Sequence, residues 1–347
     1  MWAVGGVLIW LAIARRMEPA LLLPMGFGAI LVNLPDSGAA EVIEYLFELG
    51  ITRHELFPLV LFIGIGAMID FSPLLADPKL MIFGAAAQFG ILFTLCGAVV
   101  LGFDLKDAAS VAIIGAADGP TSIFVSQALG SGYTAAIMVA AYSYMALVPI
   151  VQPPIIRLCT TPAERKIPMT WSAGKVSRRT KILFPILVTV VVGLVAPRAV
   201  SLIGFLMFGN LIRECGVLDS LSETAQKVLA NLVTIFLGLT ISARMTAAEF
   251  LRPETLLILC LGLVAFVMDT VGGVMMAKLM NLFLKQKVNP MIGAAGISAF
   301  PMAARTVNQM GLEADYTNFL IMHAVGVNVS GQIASVVAGG LILSLLT

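Results

Sequence analysis

The chain has 347 residues, of which 59% are hydrophobic and only 12% are charged, whereas soluble domains contain about 25% charged residues. A mean hydropathy of +0.99 also excludes a soluble globular protein, because too few polar side chains are available to cover its surface. The net charge of +1 argues against a nucleic-acid binder, which needs a basic surface to neutralise phosphates. The composition predicts an all-α polytopic membrane protein.

Apolar segments follow one another along the chain at residues 2–14, 20–34, 56–69, 80–103, 108–129, 132–156, 182–197, 199–212, 228–243, 255–277, 288–304 and 316–347. A spanning helix needs about 20 apolar residues. The segments predicted to span directly are 80–103, 132–156, 255–277 and 316–347. Segment 2–14 is predicted to be a first membrane segment rather than a secretory signal, because its basic residues follow it. Segments 108–129 and 288–304 are long enough but are interrupted by glycine, proline and polar residues.

A basic linker at residues 157–181 divides the chain almost centrally. It has a net charge of +6, because it contains one acid, Glu164, and seven basic residues: Arg157, Arg165, Lys166, Lys175, Arg178, Arg179 and Lys181. The positive-inside rule places this linker in the cytoplasm, and its charge also suits an acidic partner or anionic lipid. The sequence therefore predicts a first membrane repeat at 1–156, the linker, and a second membrane repeat at 182–347.

The two halves carry the same local signature. The tetrapeptide Ile-Gly-Ala-Ala occurs at residues 114–117 and 292–295, in each case within an interrupted segment. Each half then continues to a Tyr-Thr pair, at Tyr133 and Tyr316, and to an Ile-Met pair shortly afterwards. Several matches in register predict an internal repeat. By analogy with secondary transporters, we expect inverted halves with paired discontinuous helices.

The interrupted segments predict a cation site. In hydrocarbon, unpaired backbone groups are costly, so a helix is interrupted only where the freed groups meet a cavity or a ligand. Asp118 offers a carboxylate, Thr121 and Ser122 offer hydroxyls, and the second interruption offers Asn289 and Ser298. Alkali and alkaline-earth ions prefer such hard oxygen donors. A carboxylate at membrane depth costs about 2.5–3.5 kcal/mol, which favours a functional Asp118 over one that only caps a helix.

Four further residues are candidates. Asp269 lies in an apolar segment, where it can bind a cation or form a structural hydrogen bond between helices. Arg305 ends the second interrupted segment and can hold a carboxylate by two parallel bonds or extend to the membrane interface. Tyr144 aligns with Asn328 of the second half, so both are expected to line one cavity. For Tyr142 we expect aromatic packing.

Several motifs together resemble one family. The matching stretches are Gly66–Pro73, Gly115–Ser122, Tyr144 with 149–154, Asn289–Gly293, Gly296–Arg305 and Met322–Gln332. They are similar to the beta subunit of the biotin-dependent sodium-pumping decarboxylases, which act on oxaloacetate, methylmalonyl-CoA or glutaconyl-CoA. The resemblance covers essentially the whole chain.

The resemblance implies a membrane subunit that couples decarboxylation of carboxybiotin to export of Na+ with proton uptake. Asp118 matches the family's central sodium carboxylate, with Asn289 and Ser298 as partners. Gly293 would allow close backbone approach. Thr121 and Ser122 remain candidate sodium ligands beside Asp118.

The resemblance also implies the rest of the complex. Tyr144 matches a candidate for proton delivery, and Arg305 matches a group placed near carboxybiotin. A carboxyltransferase and biotin-carrier subunit would present carboxybiotin, and a small gamma or delta membrane subunit would complete the assembly. We expect a homo-oligomer, such as a trimer, in the lipid of a bacterial cytoplasmic (inner) membrane, with no covalent cofactor on this chain.

The alternative is a sodium-coupled secondary transporter, either a Na+/H+ antiporter or a carrier of sodium with an organic anion. Such proteins use the same paired discontinuous helices, so the arrangement alone does not separate the two functions. A purely structural membrane anchor does not explain Asp118.

Overall fold

The computed structural model describes residues 1–15, 19–53, 55–171, 174, 176–247 and 252–347. Ser172, Ala173 and Lys175 of the predicted linker lie outside the described residues. Across these ranges the fold consists of helices and contains no strand. The α-helices are α1 Trp2–Ala14, α2 Pro19–Val32, α3 Ala39–Phe47, α4 Leu56–Met68, α5 Ser72–Ala76, α6 Met81–Ala87, α7 Phe89–Val100, α8 Leu105–Ala112, α9 Gly119–Ala128, α10 Thr134–Cys159, α11 Pro162–Arg165, α12 Arg178–Val195, α13 Val200–Glu214, α14 Asp219–Glu223, α15 Ala230–Ile241, α16 Pro253–Phe283, α17 Met302–Ala314 and α18 Ile321–Leu346.

Among the described residues, four helical stretches are long and apolar enough to cross a membrane: Pro78–Val100, Asp219–Arg244, Pro253–Phe283 and Ile321–Leu346. Two bent pairs raise the number to six if each pair forms one span: Ala39–Thr52 with Leu56–Met68, and Ala136–Met145 with Leu147–Cys159. Large apolar side chains remain exposed on the outer helices, for example Val100 at 86% and Leu194 at 80%. Exposed apolar surface on this scale suits lipid rather than water. The chain is a multi-pass membrane protein.

Two predicted segments differ from the structure. Segment 132–156 is not one straight span, because its two halves are bent by 68°. Pro149 explains the bend, since its ring clashes with the carbonyl four residues earlier and provides no N–H to bond it. Segment 228–243 is short as an apolar run, but it belongs to a helical stretch of 26 residues that begins at Asp219.

The first interrupted segment is a hairpin. Helix α8 passes into a 3-10 turn at Ile113–Ala116, Ala117 takes a left-handed conformation with φ 52°, and α9 begins immediately after Asp118. Asp107 in the first turn of α8 accepts a 2.6 Å hydrogen bond from Ser131 Oγ, which follows α9. Because the two ends are in contact, the segment turns back at Asp118.

The second interrupted segment also has both ends on one side. It begins at Asn289, whose amide donates to the carbonyl of Arg165 in the linker at 2.9 Å. A 3-10 run at Pro290–Gly296 and an extended stretch precede α17. Near the end of α17, Glu313 forms a 3.1 Å ion pair with Arg157, at the start of the linker. Both ends therefore lie against the linker.

Candidate functional site

The turns of the two interrupted segments meet. The backbone N–H of Ser298 donates to the carbonyl of Ala116 at 2.9 Å. Ser298 also donates from its hydroxyl to the carbonyl of Gly331 in α18 at 3.0 Å. The second turn is therefore held between the first turn and α18.

Asp118 lies at this junction and is 2% exposed. Its Oδ1 accepts the backbone N–H of Thr121 at 3.3 Å and so caps α9. Its Oδ2 accepts the Thr121 hydroxyl at 2.6 Å, the Gln332 amide at 3.0 Å and the Ser335 hydroxyl at 3.0 Å. Gln332 and Ser335 are three residues apart, so they lie on the same face of α18. The helix cap that the sequence offered as an alternative is present together with this wider cluster.

The cluster around Asp118 contains neutral hydrogen-bonding groups. A buried carboxylate normally pairs with a cation, but no lysine or arginine within the described ranges bonds to Asp118. Hydroxyl groups can rotate and present lone pairs instead of protons. No group of three or more His, Cys, Asp or Glu side chains that could hold a metal ion occurs among the described residues. One carboxylate with neutral oxygen groups suits a hard monovalent cation better than a transition metal.

Ser122 and Gly293 support the two turns. The Ser122 hydroxyl donates to the backbone carbonyl of Asp118 at 2.8 Å, so it stabilises the turn rather than the carboxylate. Gly293 lies so close to Gly273 of α16 that a Cβ on either residue would collide with the other's carbonyl. In the same way, a Cβ on Gly331 would collide with the carbonyl of Gly296. Backbone therefore packs on backbone on both sides of the second segment.

Asn289 is engaged with the linker. Its amide donates to the carbonyls of Arg165 and Ile167 at 2.9 and 3.0 Å, and its side-chain oxygen accepts the N–H of Met291 at 3.1 Å. Asn318 also donates to the Ile167 carbonyl, at 2.9 Å. The structure thus places Asn289 where the second segment meets the linker and gives it no hydrogen bond to Asp118. Its assignment as a sodium ligand stays a prediction.

An ion pair also attaches the linker to α16. Lys278 lies 3.2 Å from Glu164. Partial burial alone would raise the pKa of Glu164, but hydrogen bonds from the Thr161 backbone and from Lys278 outweigh it, so the pKa is lowered. The carboxylate is therefore charged at neutral pH, and the contact is lost only as the pH falls through this lowered pKa.

Asp269 lies beside the first turn. It is fully buried, and its Oδ1 accepts the backbone N–H of Gly90 at the break between α6 and α7. The structural hydrogen bond expected as the alternative is therefore present. Its Oδ2 has no hydrogen-bond partner in the described part of the chain and lies 2.9 Å from the position of a Cβ on Gly115. Asp269 is thus adjacent to the site without contacting Asp118 by a hydrogen bond.

The three remaining predicted residues lie apart from the Asp118 carboxylate. The Tyr144 hydroxyl donates to the carbonyl of Leu259 in α16. Asn328 donates to the carbonyls of Ala295 and Ile297 at 3.1 and 2.6 Å, and so holds the extended part of the second segment. Arg305 is exposed in the first turn of α17 and forms no ion pair with a described residue.

Sequence reasoning missed Gln332 and Ser335. Gln332 ends one of the matching motifs, but no charge or unusual composition distinguishes it from other polar residues of α18. The spacing of three between these residues was the available signal, because it places both on one helix face. Tyr142, expected only to pack, lies directly against Gly119.

The fold and the site together define a polytopic helical membrane protein in which two hairpins surround a buried carboxylate, an arrangement typical of ion-translocating proteins. A family model described as the Na+-transporting oxaloacetate decarboxylase beta subunit matches residues 1–346. The chain belongs to this family.

Curated relatives agree along the full length. The chain is 49% identical to methylmalonyl-CoA decarboxylase subunit beta of Propionigenium modestum, with 99% of this chain and 94% of the relative aligned. It is 49% identical to the subunit of the same name from Veillonella parvula, with 100% and 92% aligned. It is 45% identical to the oxaloacetate decarboxylase beta chain of Haemophilus ducreyi, with 100% and 94% aligned. Names of this kind describe single chains of multisubunit decarboxylases.

Proposed function

We propose that this chain is the membrane subunit of a sodium-translocating decarboxylase, in which decarboxylation of carboxybiotin drives Na+ export and consumes a proton. The observation that carries the proposal is the Asp118 carboxylate, buried where the two turns meet and surrounded by neutral donors. Such a carboxylate gains most from a cation small enough to enter the cluster. The names of the full-length relatives supply the reaction class.

The sodium site is centred on Asp118. Thr121 and Ser335 contribute hydroxyls that already touch the carboxylate. Ser298 reaches the site through the second turn, and Gly293 permits the close packing that positions it. Ser122 supports the turn. Asn289 joins this segment to the linker, so we propose that it transmits displacements between linker and site in addition to its predicted role as a ligand.

Carboxybiotin is the substrate that the partner subunit presents. Loss of CO2 is easiest when the carboxylate of carboxybiotin is desolvated. When CO2 departs, the ureido nitrogen of biotin that carried it needs a proton. Arg305, with a guanidinium free of ion pairs to described residues, orients the carboxylate. Tyr144 serves as the proton donor. Desolvation and proton supply then both occur on this chain.

Coupling requires a two-state element that both ligands bias. The two hairpins are the candidate element, because one is joined at its ends through Asp107 and Ser131, and the other rests with both ends on the linker. We further propose that the two hairpins enter the membrane from opposite sides, as inverted halves at 1–156 and 182–347 would require. Sodium at Asp118 and the carboxylate near Arg305 would favour different positions of these hairpins.

The proposed function also implies where the linker lies and which partners the chain binds. The linker at 157–181 faces the cytoplasm of a bacterial inner membrane and meets the carboxyltransferase and biotin-carrier subunit. A small gamma or delta membrane subunit and further copies of this chain complete the complex. The net charge of +6 on the linker supports contact with an acidic surface.

Two measurements test the proposed function. Affinity capture of the tagged chain from its native membrane should retain a biotinylated subunit, and the captured complex in liposomes should move Na+ only when a decarboxylation substrate is added. Sodium movement by the purified chain alone, driven by a proton or organic-anion gradient, would instead assign it to the secondary transporters. A chain that retains no biotinylated subunit and moves no Na+ would contradict both functions.

A further inference from the structure

The hydroxyl of Tyr142 is a buried polar group without a partner near the site. Tyr142 is 3% exposed, and its hydroxyl has no hydrogen-bond partner anywhere in the described ranges. Buried tyrosine hydroxyls nearly always find a partner, and each exception requires an explanation such as an ion or a water molecule.

The ring of Tyr142 lies on the turn that carries Asp118. A Cβ on Gly119 would collide with Cε1 and Cζ of this ring, so only glycine fits there. The hydroxyl is one C–O bond from Cζ, which places it beside the residue that follows Asp118.

Tyr144 does not share this position. Two residues along an α-helix turn by about 200°, so the two tyrosines of α10 point to nearly opposite sides. Tyr144 packs with Ile114 and Leu261 and has its hydroxyl bonded to Leu259. Tyr142 packs with Ile123 of α9 instead.

The Asp118 carboxylate has acceptor capacity left. Its Oδ2 accepts three hydrogen bonds, but its Oδ1 accepts only the 3.3 Å contact from the Thr121 backbone. The Tyr142 hydroxyl makes no direct hydrogen bond to either oxygen. Oxygens that share a hard cation each lie about 2.3–2.6 Å from it, so two such ligands stand further apart than hydrogen-bonded oxygens. A near but unbonded hydroxyl therefore suits a shared cation.

We propose that the Tyr142 hydroxyl is an oxygen ligand of the sodium ion held by Asp118. This inference rests on the proposed function and adds a residue to its site. The phenol provides a neutral oxygen, while Gly119 allows the ring to approach the turn.

Tyr142→Phe in the intact decarboxylase complex tests the inference, because the ring and its packing on Gly119 are kept. The Na+ concentration for half-maximal decarboxylation should rise about tenfold, as expected for loss of one hydrogen-bond-strength contact. Turnover at saturating Na+ should stay within about twofold of the wild type, since the cation contact is lost equally from the ground state and the transition state. The ratio of Li+ to Na+ activation should also change, because a ligand has been removed.

Tyr133→Phe is the matched control, since it removes a hydroxyl from the start of the same helix, and it should leave the Na+ dependence unchanged. An unchanged Na+ dependence in folded Tyr142→Phe would overturn the inference. So would reduced turnover at an unchanged half-saturating Na+, which would indicate proton transfer by Tyr142. Asp118→Asn distinguishes failure of the inference about Tyr142 from failure of the proposed function. If Asp118→Asn keeps normal Na+ activation, the proposed function fails as well.

Discussion

Replacing Asp118 by asparagine removes the charge of the site with little change of shape. An asparagine carbonyl oxygen at the position of Oδ2 can accept the same three hydrogen bonds from Thr121, Gln332 and Ser335. Its amide nitrogen then faces the Thr121 N–H, where the wild type has a 3.3 Å contact. The free energy of unfolding should therefore fall by about 1 kcal/mol, the contribution of one ordinary hydrogen bond.

Cation binding should suffer far more. Two unit charges about 4 Å apart interact by about 4 kcal/mol at an effective dielectric constant of about 20. Because each 1.4 kcal/mol corresponds to about a factor of ten, the lost charge predicts about a thousandfold weaker Na+ binding at Asp118. This difference between a small structural effect and a large effect on binding distinguishes a cation site from a structural cap.

The assay measures decarboxylation by the purified complex as a function of Na+, with thermal unfolding in the same detergent. Asp104→Asn is the control, because Asp104 also caps a helix, through Lys106 N at 3.2 Å, and asparagine caps equally well. We expect normal Na+ activation in the control and none in the accessible range for Asp118→Asn. A folded Asp118→Asn variant with wild-type Na+ dependence would refute the reasoning.

Four further variants have defined outcomes. Ser298→Ala loses its bond to α18 and should raise half-saturating Na+ about tenfold, and an unchanged Na+ curve would reassign the ligands. Arg305→Ala should impair the use of carboxybiotin more than Na+ affinity in steady-state kinetics, and the reverse order would place the guanidinium elsewhere. Gly293→Ala should lower thermal stability, because overpacking costs about 1–3 kcal/mol. The control Gly97→Ala should not, because the space around its Cβ is open. Equal melting temperatures for the two variants would contradict the close contact at Gly293. Asn289→Ala should accelerate proteolysis of the linker, and an unchanged cleavage rate would show that its two bonds do not hold the linker.

The interruptions of the two segments were predictable because their signals are local. Asp118 before Gly-Pro specifies a helix cap followed by a new helix start, and the structure has both. The bend in α10 was not predicted, although Pro149 indicates it, because one proline in an apolar run does not change the prediction of a spanning segment. The length of the helical stretch that begins at Asp219 was underestimated, because its first turns are polar and lie outside the apolar segment at 228–243.

The partners of Asp118 were not predictable, because they come from a distant part of the chain. Gln332 and Ser335 are 214 and 217 residues from Asp118, and no local pattern states which face of α18 meets the first turn. The same limit applies to the two tyrosines of α10. Their sequence neighbourhoods are alike, and only the packing of the helix decides that Tyr142 faces Gly119 while Tyr144 faces Leu259.

The glycine contacts along the second hairpin have a mechanical consequence. Gly293 rests on Gly273 and Gly296 on Gly331, so backbone meets backbone where the hairpin touches α16 and α18. A shift of this hairpin would therefore have to break hydrogen bonds in its middle, from Ser298 to Ala116 and Gly331 and from Asn328 to Ala295 and Ile297. A side chain at Gly273, Gly293 or Gly331 would instead force the hairpin away from the helix on which it packs.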